Sequence, residues 1–137
     1  MSLQVLHPIT IHFPIVLPFL LASLTAFGLY KNGTKLPHLY LVSWLTSLLL
    51  FLSSVLAYWS GQRDSFGSAA DPDAIAQHAL AGKYFLIASA ICIFLFGWAW
   101  FKKSQSFWYR LFLLFASLVL VGLTIWTSHL GGSLVYQ

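Results

Sequence analysis

The residues of this chain whose chemistry best suggests a site are its five histidines. They are His7, His12, His38, His78 and His129. Neutral imidazole binds haem iron, zinc and copper, and it titrates near physiological pH. A soft copper(I) site would need cysteine or methionine, and the chain offers only Cys92 and the initial Met1. The histidines therefore predict a haem or zinc-type site, provided that the fold brings them together.

The composition indicates where such a fold would be located. The chain has 137 residues, of which 59% are hydrophobic and 7% are charged, and its mean hydropathy is +0.82. An ordinary soluble domain is about 25% charged, so a soluble globule is excluded. Aromatic residues make up 18% of the chain, which excludes a disordered chain. The seven basic residues are spread through apolar sequence and form no stripe that would bind nucleic acid. The class is an integral membrane protein.

Four apolar runs organise the chain, and each is long enough to cross a hydrocarbon core, which takes about 20 helical residues. Because every backbone polar group in lipid must be paired internally, each run predicts a helix. Asp71 and Pro72 form a strong start signal for the third helix. We expect a single all-α domain over residues 1–137, a transmembrane four-helix bundle. Its helices should cover about 11–30, 38–60, 72–101 and 107–129.

Basic residues near the helix ends predict the orientation. Lys31, Lys35, Lys102 and Lys103 lie in the two short loops, whereas all three acidic residues lie on the opposite side. The excess of basic residues in cytoplasmic loops places both termini in the periplasm, in a multi-pass protein of the bacterial inner membrane. Arg110, near the start of the fourth run, is expected to extend toward the lipid headgroups.

This topology groups four of the histidines at one end of the bundle. His7 and His12 belong to the outer end of the first helix, His78 to that of the third and His129 to that of the fourth. His38 belongs to the opposite end and is interpreted as an interfacial residue. Ionisable groups within membrane segments tend to face the bundle interior. The sequence therefore predicts that imidazoles from three helices meet at the periplasmic end.

The face of the third helix that follows His78 toward the middle of the membrane carries mostly small side chains. Ala81, Gly82, Phe85 and Ser89 share this face, and most of them are small. The second helix also carries a stripe of small or hydroxyl residues, namely Ser43, Ser47, Ser54, Ala57 and Gly61. Such stripes either leave a slot for a flat cofactor or let two helices pack closely, and for the second helix packing is the favoured interpretation.

A b-type haem is the cofactor that we expect from these features. Its iron takes one or two axial histidines from different helices within an apolar pocket. His78 and His129 form the first candidate pair, and His12 with either of them is the next. His7 and Arg63 are then candidates for binding the haem propionates. The expected function is electron transfer between a periplasmic partner and the membrane.

Two alternatives use the same residues. His78, His129 and His12 could bind zinc or iron in a metal-dependent membrane enzyme. Alternatively, the protein is a structural or assembly subunit without a cofactor, and the histidines only line the membrane interface. The low charge and the short soluble segments favour a place in a larger membrane complex.

The ends of the chain resemble a known family. Its opening has His7-Pro8 and then the segment HFPI at residues 12–15, and its close is HLGGSLVY at residues 129–136. Together with His78 at the start of the third helix, these motifs resemble the bacterial four-helix membrane family called domain of unknown function 2231. The resemblance implies that His7, His12, His78 and His129 are the motif histidines. It also implies a redox context, in which a periplasmic c-type cytochrome or dehydrogenase is the candidate partner. A quinone is a further candidate, because the histidines that do not bind the haem iron could bind it.

Overall fold

Four helices make up the computed structural model, which describes residues 12–30, 37–65, 71–102 and 106–135. They are α1 (His12–Tyr30), α2 (Pro37–Ser65), α3 (Pro72–Lys102) and α4 (Phe107–Val135). Each helix is long and apolar enough to cross a membrane. The all-helical, four-span fold that the apolar runs predict is therefore confirmed.

Two helices extend further than the sequence indicates. α2 runs to Ser65 rather than to residue 60, and Arg63 in its last turn stacks on the Trp59 ring, 4.6 Å from the centroid. A positive charge there suits the negative end of the helix dipole. α4 runs to Val135 and passes through Gly131 and Gly132. Glycine weakens an isolated helix, so this last turn depends on the packing described below.

The start of α3 forms where the sequence predicts it. The side chain of Asp71 accepts a hydrogen bond of 3.2 Å from the backbone N–H of Asp73, and its carbonyl accepts one of 3.0 Å from Ile75. These bonds make Asp71 the N-cap and satisfy donors that the first helical turn leaves open.

The helices form a closed antiparallel ring. α1 packs against α2, α2 against α3, α3 against α4, and α4 returns to α1. Because successive helices are antiparallel, the start of α1, the end of α2, the start of α3 and the end of α4 lie together. We call this the histidine end, after His12, His78 and His129. The opposite end, which contains Arg110, is called the arginine end.

The interior combines large apolar side chains with small hydroxyl side chains. The largest fully buried apolar residues are Leu21, Leu50, Phe96, Leu113 and Leu120. The buried hydroxyl residues are Thr25, Ser43, Thr46, Ser47, Ser53, Ser54, Ser60, Ser89, Ser117 and Thr124. Small side chains let helix backbones approach closely, which is how helices associate in a bilayer where lipid is as apolar as the protein.

The outer faces of the helices are apolar. Phe94 and Trp108, for example, are about three-quarters exposed, at 77% and 75%. A soluble protein of this size rarely exposes so large a contiguous apolar surface. Lipid chains are the solvent that suits this exterior, so the protein is placed in a lipid bilayer.

Candidate functional site

The contacts between helices fix which residues lie at the same depth. Thr25 of α1 is hydrogen-bonded to Ser117 of α4 at 3.0 Å. Because the two helices are antiparallel, His12 lies opposite residue 130 of α4. Similarly, Gly82 of α3 faces Tyr58 of α2, where an added Cβ would be 3.5 Å from the Tyr58 ring.

The same counting places His78 opposite residue 62 of α2. His12, Arg63, His78 and His129 therefore lie at one level of the bundle, at the histidine end. The shared depth that the topology predicts is present in the structure.

Among the histidines that the structure describes, His78 is the one that faces the bundle. It is half-buried and continues the face of α3 formed by the buried residues Ala81, Phe85 and Ser89. Its imidazole lies against the backbone of α4, where a Cβ atom on Gly131 would be 2.9 Å from Cε1 and 3.5 Å from Nδ1. Cβ atoms in proteins essentially never lie less than 3.0 Å from another heavy atom. The observed position of the His78 ring therefore requires glycine at position 131.

His129 faces a different direction from Gly131. Two residues along a helix correspond to a rotation of about 200°, so the side chain of His129 projects from nearly the opposite side of α4. It is exposed, in agreement with this rotation. The structure therefore places the first candidate pair, His78 and His129, at one depth but not around one interior space.

His12 and Arg63 are also on the outside. His12 lies nine residues before the fully buried Leu21, a separation that puts the two on opposite faces of α1, and His12 is exposed. Arg63 is exposed, and its guanidinium carbon lies over the ring of Trp59. His7 lies outside the described residues.

The part of the chain that the structure describes contains no metal site made of three side chains. Within residues 12–30, 37–65, 71–102 and 106–135, no three side chains of the types His, Cys, Asp and Glu are grouped so that they could hold a metal ion. His12, His78 and His129 therefore do not form such a group there. His38 is exposed near the start of α2, as expected of an interfacial residue.

Comparison with known proteins bears on the resemblance noted at the ends of the chain. The sequence model of a family described as "Predicted membrane protein (DUF2231)" matches residues 4–137. The chain belongs to the DUF2231 family. The family resemblance carried by the terminal motifs is thereby confirmed. No curated protein and no solved structure gives a significant match.

The closing motif of this DUF2231 protein has a structural explanation in its first glycine. Gly131 provides the surface on which His78 rests, whereas Gly132 has no atom within 4 Å of an added Cβ. The two adjacent glycines therefore differ in role. The motif joins α3 to α4 at the histidine end.

Arg110 is the residue of this DUF2231 bundle that sequence reasoning misinterpreted. The guanidinium does not extend toward the headgroups: the residue is only 6% exposed, and its Nη1 donates a hydrogen bond of 3.5 Å to the carbonyl of Gly28. That expectation is wrong because Arg110 lies on the buried face of α4. Its spacing of seven from Ser117, and of fourteen from the likewise buried Thr124, is the signal that could have revealed this.

Proposed function

We propose that this protein is a membrane-embedded electron-transfer subunit that holds a b-type haem at the histidine end. The observation that carries the proposal is the orientation of His78, an imidazole facing the bundle from a long, packed helix. Neutral imidazole is an axial ligand of haem iron. Arg63 lies at the same depth, and a guanidinium is the usual partner of a carboxylate such as a haem propionate.

The described residues fit a haem in part. His78 fits an axial ligand, and Arg63 fits a propionate partner. His12 and His129 face outward, so they do not fit as a second ligand across the bundle interior, which leaves His7 as the sequence candidate. Below His78 the interior is occupied by Ala81, Phe85 and Ser89. The end of the bundle, rather than its middle, is therefore the place that suits the group.

In such a subunit, the haem and the protein chain contribute different parts of the function. A bound haem supplies one-electron oxidation and reduction, whereas the chain supplies the ligand, its orientation and the surroundings that set the potential. Gly131 contributes to that orientation because it fixes the position of the His78 ring.

The membrane context completes the proposal. Five of the seven basic residues, and none of the three acidic ones, belong to the arginine end and its loops. By the positive-inside rule this end faces the cytoplasm, so the histidine end and both termini face the periplasm of a bacterial inner membrane. Electrons would then pass between a periplasmic c-type cytochrome or dehydrogenase and the membrane, with a quinone as the acceptor or donor there.

A visible spectrum of the protein purified in detergent, before and after dithionite, tests the proposal. We expect a Soret band that shifts on reduction. His78→Ala should abolish or strongly distort the band, whereas the matched control His129→Ala should leave it unchanged because His129 faces away from His78. A Soret band that survives in His78→Ala would contradict the ligand assignment.

A second candidate function is a structural or assembly subunit without a cofactor. The observation that favours it is the packing of the interior, where hydroxyl side chains and leucines occupy the space between the four helices. Absence of a Soret band together with absence of stoichiometric metal would support this candidate. Stoichiometric zinc or iron without a Soret band would instead support the metal-dependent enzyme, with ligands from outside the described residues.

A further inference from the structure

Two exposed basic residues lie on neighbouring helices at the histidine end. They are Arg63 of α2 and Lys83 of α3, and we call them the basic pair. The other five basic residues of the chain belong to the arginine end and its loops, where the positive-inside rule accounts for them. That rule gives no reason for a pair of positive charges at the opposite end.

The register of α2 and α3 places the basic pair at neighbouring levels of the bundle. Gly82 of α3 faces the ring of Tyr58 of α2, and Gly97 faces Trp44 in almost the same register. Lys83 therefore lies opposite residue 57 of α2, six residues deeper in the membrane than Arg63. The two Cα atoms are separated by about 9 Å along the bundle axis.

The side chain of Arg63 turns inward along the membrane normal. Its guanidinium carbon lies 4.6 Å from the centroid of the Trp59 ring, and Trp59 is one helical turn deeper in the membrane than Arg63. A basic residue at a membrane interface ordinarily extends toward water instead. Because Trp59 is 54% exposed on the outer face of α2, the guanidinium is held at a surface that faces lipid.

Lys83 is directed the other way along the axis. Side chains of an α-helix lean toward its N-terminus, and the N-terminus of α3 is at the histidine end. Trp59 lies opposite residue 81, so Lys83 begins only two residues deeper, and its flexible stem spans that difference. We therefore expect the ammonium of Lys83 and the guanidinium of Arg63 to converge at the level of Trp59.

The surface between the basic pair leaves room for a headgroup. Ala79, one turn above Lys83 on α3, contributes only a methyl group and is half-buried. Gly82 lets α2 pack closely, because the Tyr58 ring lies where a larger side chain would be. The two charges thus flank a shallow seam between α2 and α3 that is open to the bilayer.

Two positive charges that converge repel each other unless an anion lies between them. Asp71 and Asp73 of α3 lie at least eight residues beyond residue 81, about 12 Å or more along the axis, and Asp71 caps its own helix. Asp64 is next to Arg63 in the sequence, and its side chain lies outside the described residues. An anion that enters the seam from the bilayer, at the depth of the headgroups, is a phospholipid phosphate.

We propose that Arg63, Lys83 and Trp59 bind the headgroup of an anionic phospholipid, with its phosphate between the basic pair. Arginine and lysine are the usual partners of phosphate oxygens, and tryptophan is enriched at the headgroup level. A zwitterionic headgroup suits the seam less well, because its own ammonium group is repelled by the two basic side chains. The proposal does not depend on the haem, since Lys83 has no part in the proposed haem site.

Native mass spectrometry tests the proposal through the mass of the bound lipid. The protein is delipidated in detergent and titrated with phosphatidylglycerol, or with phosphatidylcholine that has the same acyl chains. We expect the first phosphatidylglycerol to bind at least fivefold more tightly. Because one basic residue near an anionic lipid contributes about a factor of five, Arg63→Gln and Lys83→Gln should each weaken that binding about fivefold.

Lys102→Gln is the matched control. Lys102 is also an exposed cation over an indole ring, with its Nζ 5.2 Å from the centroid of the Trp98 ring, but it lies at the arginine end. Its replacement should leave the affinity for the first phosphatidylglycerol unchanged. Arg63 and Lys83 are exposed, so their replacement leaves the packed interior intact, and each variant should bind in the folded state.

Three results would overturn the proposal. One is equal affinity for phosphatidylglycerol and phosphatidylcholine. Another is an equal loss of affinity in Lys102→Gln and in the variants of the basic pair, which would indicate a general charge effect. The third is competition by glycerol 1-phosphate at the same concentration as the lipid, because the seam would then bind free phosphate rather than a phospholipid.

Discussion

The imidazole of His78 and the backbone of Gly131 are in direct contact across the α3–α4 interface. A Cβ atom at position 131 would be 2.9 Å from Cε1 of His78, with Nδ1 and Nε2 at 3.5 and 3.6 Å. The contact joins the one described histidine that faces the bundle to the glycine pair of the closing motif. A side chain at position 131 would therefore displace the His78 ring, in addition to any effect on the stability of α4.

The first prediction compares the two adjacent glycines. Gly131→Ala should lower the free energy of unfolding by about 1–3 kcal/mol, because the new methyl group displaces the His78 ring. Gly132→Ala meets open space and should be neutral, or stabilising by up to about 1 kcal/mol through helix propensity. Thermal unfolding in detergent measures both changes, and equal effects of the two variants would contradict the contact.

The second prediction concerns the hydrogen bond between Thr25 and Ser117. This bond joins α1 to α4 within the buried part of the bundle at 3.0 Å. A double-mutant cycle with Thr25→Val and Ser117→Ala should give a coupling energy of about 0.6 kcal/mol, a typical value for interhelical bonds in membranes. The control cycle pairs Thr25→Val with Ser54→Ala of α2, whose hydroxyl bonds to Leu50 of its own helix. Equal coupling in both cycles would argue against the interhelical bond.

The third prediction uses the single cysteine. Cys92 is 2% exposed and lies among the buried residues of α3. A maleimide should therefore fail to label the folded protein in detergent and should label it fully after unfolding in dodecyl sulfate. Ser133→Cys provides an exposed control that reacts in both conditions. Rapid labelling of Cys92 in the folded protein would contradict the packing of α3.

The fourth prediction tests the orientation of the bundle. Ser133 and Ser106 are exposed at opposite ends, so each can carry a reporter cysteine while the buried Cys92 stays silent. With both termini periplasmic, a membrane-impermeant maleimide should reach Ser133→Cys in spheroplasts and reach Ser106→Cys only after the inner membrane is opened. Labelling of Ser106→Cys but not of Ser133→Cys in intact spheroplasts would contradict this orientation and would show that the histidine end faces the cytoplasm.

The helices themselves could be predicted from the sequence, because a span of lipid demands a minimum apolar length. The face of α3 below His78 was also predictable, since Ala81, Phe85 and Ser89 recur at helical spacing. The directions of His12 and His129 were not. In a membrane bundle both the lipid-facing and the interior side chains are apolar, so the sequence carries little of the contrast that orients a helix in a soluble protein.

Arg110 illustrates a second limit. An arginine near the end of a span ordinarily reaches the headgroups, and nothing in its immediate neighbours distinguishes it from that common case. Arg110 is buried because it lies on the face of α4 that packs against α1. The sequence does not show that α1 and α4 are neighbours, and only the three-dimensional arrangement of the four helices does. The seven-residue spacing from Arg110 to Ser117 is visible in the sequence. It indicates that Arg110 is buried only once the hydroxyl residues are known to form the interior of the bundle.

The hydroxyl side chains of the interior have a consequence for how the chain enters its membrane. Ser47, Ser54 and Ser89 each donate to a carbonyl three or four residues earlier in the same helix. Their polar atoms are therefore satisfied before any neighbouring helix arrives. These three hydroxyl groups therefore enter lipid with their donors already satisfied, before the helices pack together. Assembly then adds the bond between Thr25 and Ser117 as a late step, made only when the first and last helices meet.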